Sequence, residues 1–294
     1  MINQQKSKIN SCEVTVLKKI AVINDISGFG KCSLTAALPV ISALGMQCCP
    51  VPTAVLSHQT GYNSYHCIDL TAELDAYLKE WYSCGESFDA ILTGYITSCE
   101  QADIILKAID RLKNDSTLVV VDPVMADDGT LYKTYSKELC RKVIRLAKKA
   151  NVITPNLTEL CILARLSYKS TTAKSAEDGY FEYIAEAART LLSESLETVI
   201  VTGVKRGNTV CNIAVGKDSF SVSQSELIGG SFSGTGDLFA SIVCAELTRG
   251  MSVAYSVELA TRFIEKAIRD TVKEGTDRND GIAFEKHLEM LINE

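Results

Sequence analysis

The chain has no surplus of positive charge. Its 30 Lys and Arg are outnumbered by 36 Asp and Glu, for a net charge of -6 and a pI near 5.3. Neither nucleic acid nor an anionic membrane surface is therefore an expected partner, and any phosphate site has to be local. No apolar run is long enough to cross a bilayer, and no basic, apolar and small-residue succession of a secretory leader is found, so a cytoplasmic protein is expected. Cys-x-x-Cys pairs are absent, and the three histidines, His58, His66 and His287, lack the spacing of zinc ligands. The eleven cysteines are scattered through a 294-residue chain and read as reduced thiols, with the adjacent Cys48 and Cys49 as strand filler. No internal repeat, low-complexity tract or linker interrupts the sequence. With 46% hydrophobic and 22% charged residues the chain can bury a large core, and a single domain over residues 1–294 is expected, residues 1–15 being a loose polar lead-in.

What is present is an alternation. Lys19 to Ile26 is a short apolar, β-branched run that ends in Ser27-Gly28-Phe29-Gly30, and Cys32 to Leu44 then carries helical spacing. That glycine turn is no dinucleotide fingerprint, because Ser33 stands where its third glycine belongs; Cys32 after Lys31 likewise breaks the P-loop pattern. The pattern continues with strands at Gln47 to Leu56, Phe88 to Gly94, Thr117 to Asp122, Val152 to Thr154 and Thr198 to Thr202. Helices are expected at Thr71 to Tyr82, Cys99 to Leu112, Ser136 to Lys149, from Asn156 or Leu157, and at Tyr180 to Ser193. Val210 to Val215 and Phe220 to Ser223 read as a hairpin across Gly216-Lys217-Asp218, and three helices close the chain. The expected fold is α/β: a doubly wound, mostly parallel sheet with helices on both faces. Ligands of such sheets sit at the carboxyl ends of the strands, which directs attention to the residues just past each one.

The stretch from Gly229 to Phe239 (Gly-Gly-Ser-Phe-Ser-Gly-Thr-Gly-Asp-Leu-Phe) stands out. A glycine-rich turn entering a helix over Leu238 to Leu247 presents free N–H groups at a helix N-terminus, where anions bind. Gly234, Thr235 and Gly236 would form that cradle, with the Asp237 carboxylate beside it. A carboxylate next to an anion hole suits removal of a proton from an alcohol during phosphoryl transfer. It is also what a helix dipole favours in any first turn.

Other strand ends carry chemistry with equally plain alternatives. Asp122 and Asp127 follow the most apolar strand, as hard oxygen ligands for Mg²⁺ or as a capped turn. Asn156 and Glu159 have the spacing of a capping box and also lie at the ligand edge, where they could orient hydrated metal and phosphate. Ser57, Thr60, Gly61 and Tyr62, and the pair Gly94-Tyr95, offer hydroxyls and ring faces for a flat heteroaromatic ligand, or are surface turns. His58 shows no partner and reads as a loop histidine.

Together these residues resemble the ribokinase-like superfamily, and within it the pyridoxal kinases, over nearly the whole chain from Ala21. Gly234-Thr235-Gly236-Asp237-Leu238-Phe239-Ala240 is similar to that family's anion hole and catalytic base. Val121-Asp122-Pro123-Val124-Met125 with Asp127, and Ile153-Thr154-Pro155-Asn156 with Glu159, are similar to its Mg-ATP segments. The resemblance implies an ATP-dependent kinase of a vitamin B6 5′-hydroxyl, with Asp237 as base and Gly234, Thr235 and Gly236 holding the transferred phosphoryl group. It implies substrate contacts at Asn24, Asp25, Ser57, Thr60 and Tyr95. Asp122, Asp127, Tyr132, Asn156, Glu159 and Thr202 would serve the nucleotide, and Asp122 and Glu159 the Mg²⁺ ion. It also implies a monovalent cation, commonly K⁺, and a homodimer. One segment departs: Asn24-Asp25-Ile26-Ser27-Gly28 is nearer the Ser-Asp-Pro-Ser-Gly of the hydroxymethylpyrimidine kinases than the Ser-His of pyridoxal kinases. A hydroxymethylpyrimidine kinase, or a vitamin binder that lost catalysis, are the alternatives.

Overall fold

A computed structural model describes residues 16–292; the expected lead-in, residues 1–15, lies outside them. In chain order the elements are β1 (Lys19–Ser27), α1 (Ser33–Ala43), β2 (Gln47–Leu56), β3 (Cys67–Asp69), α2 (Thr71–Cys84), β4 (Ala90–Thr93) and α3 (Cys99–Leu112). Next come β5 (Leu118–Val121), a small hairpin of β6 (Ala126–Asp127) and β7 (Thr130–Leu131), α4 (Lys137–Ala147), β8 (Val152–Ile153), α5 (Leu157–Leu163), α6 (Tyr168–Thr172) and α7 (Tyr180–Arg189). The chain closes with β9 (Thr198–Arg206), β10 (Thr209–Val215), β11 (Phe220–Glu226), α8 (Thr235–Arg249), α9 (Val253–Glu274) and α10 (Glu289–Ile292).

Nine strands form one sheet in the order β11-β10-β9-β8-β5-β4-β1-β2-β3. The run from β9 to β2 is parallel, and the antiparallel strands are confined to the two margins. The inner strands are apolar on both faces, as burial under two helical layers requires. Ala21, Ile23, Val119 and Val121 face one layer, with Leu78 of α2, Ile105 of α3, Val143 of α4, Leu160 of α5 and Ile184 of α7. Ile20, Val22 and Val120 face the other, with Leu34 of α1, Ile242 of α8, Phe263 of α9 and Leu291 of α10. Each fully buried Leu, Ile or Phe contributes about 1.5–3 kcal/mol, so these two apolar layers hold the sheet. Serine hydroxyls cap the helices that start at exposed loops: Ser98 accepts from Gln101 N at 3.1 Å and Ser136 from Leu139 N at 3.1 Å.

The layered α/β architecture agrees with the pattern read from the sequence, with local corrections. β9 runs on to Arg206, beyond Thr202, because its second half pairs with β10. α7 stops at Arg189 and not at Ser193. α8 begins at Thr235, three residues before the apolar period starts, which places Asp237 inside its first turn. After α8 come one long helix, two 3₁₀ turns (Arg278–Asp280 and Phe284–His287) and the short α10. β3, α6 and the β6–β7 hairpin are too short for a period to reveal them. Every cysteine among the described residues is a free thiol.

Candidate active site

The parallel strand order reverses at β1: β2 follows on one side and β4 on the other. The carboxyl ends of β1 and β4 flank this reversal, the place where open α/β sheets take ligands. Asn24 stands there near the end of β1, with only 5% of its surface exposed. Its Oδ1 accepts from Tyr95 N at 2.8 Å and from Asp25 N at 3.0 Å, and its Nδ2 donates to Asp237 Oδ1 at 2.9 Å. The backbone at Gly94 crosses directly over this amide; a Cβ there would lie 2.4 Å from Nδ2.

The anion turn meets this edge from α8. Gly234 caps that helix in the left-handed region (φ 80), and a Cβ at this position would fall 1.9 Å from Lys31 O, so the turn packs on the entry to α1 at a distance only glycine allows. Thr235 Oγ1 donates to Phe232 O at 3.1 Å. No carbonyl among the described residues takes up the N–H groups of Gly234, Thr235 and Gly236, so three donors are left at the N-terminus of a fifteen-residue helix. Burial raises the Asp237 carboxyl to about 6; the backbone N–H of Ser33 pulls it down, the charge of Asp25 pushes it up, and the Asn24 amide pulls it down.

Asp25 is buried, and both of its oxygens are engaged: Ser33 Oγ donates to Oδ1 at 2.5 Å and Ser27 Oγ to Oδ2 at 3.0 Å. Asn24 and Asp25, expected to touch substrate, thus use their hydrogen bonds on the protein. They form the floor beneath Asp237.

The opposite wall comes from the ends of β5 and β8. Thr154 Oγ1 donates to Asp122 Oδ1 at 3.1 Å, while Oδ2 faces Gly236. Burial and then the charge of Asp237 push the Asp122 carboxyl up to about 7. Asn156 and Glu159 do form the capping box, and more. Glu159 Oε1 accepts from Met125 N at 2.9 Å and Ala126 N at 3.4 Å, Oε2 accepts from Asn156 N at 2.9 Å, and Asn156 Nδ2 donates to Ala126 O at 2.7 Å. The pair therefore clamps the start of the β6–β7 hairpin onto α5. Burial, followed by the charge of Asp122, drives the Glu159 carboxyl well above its ordinary value against the pull of these N–H groups. Thr202 N donates to Pro155 O at 2.9 Å beside the cap. Asp127 is exposed on the hairpin and accepts from Asp128 N at 2.9 Å; Tyr132, just past β7, donates its N–H to Met125 O at 3.0 Å.

Among the described residues no group of three or more His, Cys, Asp or Glu side chains is arranged to hold a metal. The donors do fit Mg²⁺, which keeps several waters and takes one or two carboxylates plus phosphate oxygens. Asp122 has the oxygen to offer. Glu159, expected as a second ligand, has both oxygens held by backbone N–H groups.

The third wall is the loop after β2. Ser57 Oγ accepts from His66 N at 2.9 Å and lies 3.2 Å from His58 Nδ1. Thr60 is exposed. His58 is not the isolated loop histidine expected: its ring lies 5.7 Å from that of Phe29 and 5.1 Å from that of Tyr62. The Tyr62 hydroxyl donates to Asp280 Oδ1. The Tyr95 ring centroid lies 5.9 Å from that of Tyr135. Sequence reasoning missed Gln59, which is 8% exposed; its Nε2 donates to Ser233 Oγ at 3.1 Å and Asn279 O at 3.2 Å, and its Oε1 accepts from Gly61 N at 2.6 Å. No local signal marks its link to Ser233 and Asn279, since both lie far along the chain.

A two-sided α/β sheet with unpaired amides, a raised carboxyl beside them and a second carboxyl opposite defines a phosphotransferase of the kinase class. The model of the phosphomethylpyrimidine kinase family matches residues 30–281, and the chain belongs to that family. It is 31% identical over 254 residues to a pyridoxine/pyridoxal/pyridoxamine kinase of Bordetella avium, covering 83% of this chain and 82% of the relative. Among solved structures it is similar to a Bacteroides thetaiotaomicron protein named for phosphomethylpyrimidine kinase and crystallised with pyridoxal (35% identity, TM-score 0.87, 94% of this chain and 96% of that one). It is also similar to the pyridoxal kinase of Lactobacillus plantarum (27% identity, TM-score 0.84, 95% and 98% covered).

Proposed function

We infer that this kinase transfers the γ-phosphoryl group of ATP to the 5′-hydroxyl of a B6 vitamer: pyridoxal, pyridoxamine or pyridoxine. The observation that carries the reading is Asp237, hydrogen-bonded by Asn24 and set beside the free N–H groups of Gly234, Thr235 and Gly236. The alcohol oxygen attacks the γ-phosphorus, the bond from that phosphorus to the bridging oxygen breaks, and ADP leaves; the proton of the hydroxyl passes to Asp237. The three amides stabilise charge on the group in transfer without having to reorganise. Tyr95 stacks on the ring, and Thr60 and Ser57 meet its substituents. Asp122 would hold Mg²⁺ through its second oxygen, and the ion would supply neutralisation of phosphate charge. Asn156 and Glu159 keep the hairpin bearing Asp127, and Tyr132 beyond it, at the nucleotide end next to Thr202. Asn24 and Asp25 stand beside the base, at the end of the site that meets the vitamer.

The matching family model and the Asn24-Asp25-Ile26-Ser27-Gly28 segment favour a second reading, hydroxymethylpyrimidine as the alcohol. Both substrates are flat rings with a primary alcohol, and the same base and amides serve either. An ADP-release assay with the three vitamers and hydroxymethylpyrimidine separates the readings. The expected result is turnover with B6 vitamers at a higher kcat/KM than with hydroxymethylpyrimidine. The reverse order would assign the enzyme to pyrimidine phosphorylation, and tight binding without turnover of any of them would make it a binder.

A further inference from the structure

We propose that Asn24 is a positioning residue for the phosphoryl transfer: its side-chain amide sets which oxygen of Asp237 meets the substrate hydroxyl, and ties that setting to the backbone of Tyr95. The proposal rests on Asp237 being the base.

The orientation of the amide is forced. Its oxygen faces two backbone N–H groups, Tyr95 N at 2.8 Å and Asp25 N at 3.0 Å, which can only donate. A flipped amide would set NH₂ against both. Nδ2 is therefore turned to Asp237 Oδ1 at 2.9 Å, and being a donor only it keeps Oδ1 as an acceptor. Oδ1 is held by the amide, the Ser33 backbone N–H also faces the carboxylate, and Oδ2 is the oxygen assigned to the alcohol's proton. Other ionisable groups that face Asp237 are Asp25 from β1, Asp122 past β5, the Cys32 thiol before α1 and the Tyr132 phenol past β7. None of them is a cation, and Asn24 is the side chain among the described residues that hydrogen-bonds the base. Gly94 completes the device, since a Cβ there would stand 2.4 Å from Nδ2 and 2.7 Å from Cγ of Asn24. One amide thus joins the carboxylate that takes the proton to the strand end that carries the ring-stacking residue. Small misplacements of a catalytic group can cost up to about a hundredfold in rate, so a neutral, fixed tether at this point has a direct kinetic role.

The test uses Asn24→Asp, which keeps the shape and both acceptors for Tyr95 N and Asp25 N but replaces the donor facing Asp237. Expected is a kcat about tenfold to a hundredfold lower, with the dissociation constants of pyridoxal and ATP, measured by calorimetry, within about threefold of the parent. Unchanged kcat, or a loss of kcat matched by an equal loss of vitamer affinity, overturns the proposal. Gly94→Ala reaches the amide from its other side without altering either partner, and should lower kcat likewise. Should Asn24→Asp fail to fold, this second variant decides: a parental kcat overturns the proposal and a reduced one with retained binding supports it. Asp237→Asn is measured in parallel. If that variant turns over normally, the assignment of the base has failed and not the tether alone.

Discussion

Gln59 Nε2 lies 3.1 Å from Ser233 Oγ, which joins the loop after β2 to the turn that presents the free amides. Asn279 completes the link by accepting from the same nitrogen through its backbone oxygen at 3.2 Å. Replacing Gln59 with Ala should loosen both loops together. Amide exchange in residues 57–66 and 229–235 should quicken while the sheet strands stay protected, and kcat/KM for the vitamer should fall about tenfold. Exchange confined to one of the two loops would show that Gln59 does not couple them.

Asp237→Asn should lower kcat by about a hundredfold or more, the scale of a lost general base, and leave vitamer binding in place. Parent-level turnover would remove Asp237 from the reaction.

The raised Asp237 carboxyl has two consequences for pH. As base it must be ionised, so kcat should fall as the pH drops below about 6. Its effect on stability has the opposite sign: the folded state favours the protonated form, so its stabilisation is complete below the ordinary carboxyl value of 3.8 and is lost as the pH rises through about 6. Asp237→Asn should therefore melt higher than the parent at pH 8, by at most about 3 kcal/mol of stability, and the two should converge toward pH 4. A variant less stable than the parent at pH 8 would contradict the strain assigned to this carboxylate.

Two glycines of the anion turn should respond differently. Gly234→Ala sets a Cβ on Lys31 O in a left-handed conformation and should prevent the turn from docking, seen as loss of soluble protein or a large drop in Tm. Gly236→Ala meets only Asp122 Oδ2, at 3.8 Å, and should fold with a Tm near the parent's while the KM for Mg-ATP rises. Equal melting temperatures for both variants would refute the close packing of the turn on the entry to α1.

Glu159 and Asp122 should separate structure from nucleotide chemistry. Glu159→Ala leaves the N–H groups of Met125, Ala126 and Asn156 without their acceptor and should cost about 2–4 kcal/mol in denaturant unfolding. Asp122→Asn relieves a carboxyl held near 7 and should not destabilise, but should raise the Mg²⁺ concentration needed for half-maximal rate. If Glu159→Ala instead leaves stability intact and moves the Mg²⁺ dependence, Glu159 and not Asp122 is the metal residue.

Much of the framework is legible in the chain. β2 over Gln47–Leu56 and α3 over Cys99–Leu112 coincide with the segments expected from the sequence, because both are long and α3 buries one regular helical face. β3, the β6–β7 hairpin and α6 are illegible, since two to five residues carry no period and are held by their neighbours. The capping box at Asn156 and Glu159 can be read from spacing; the grip of Glu159 on Met125 and Ala126 cannot, because those partners arrive from another strand.

The amino-acid sequence determined by itself the alternation of strand and helix, the layered sheet and the glycine-rich helix entry with its acid, because propensity, period and turn chemistry act over a few neighbouring residues. Only the tertiary structure decided that Asn24 lies under Asp237, 213 positions away, that Asp25 is turned to two serines, and that Gln59 ties two loops together. Hydrogen bonds select partners within about 3 Å, and which groups come that close is set by the order in which the strands join the sheet.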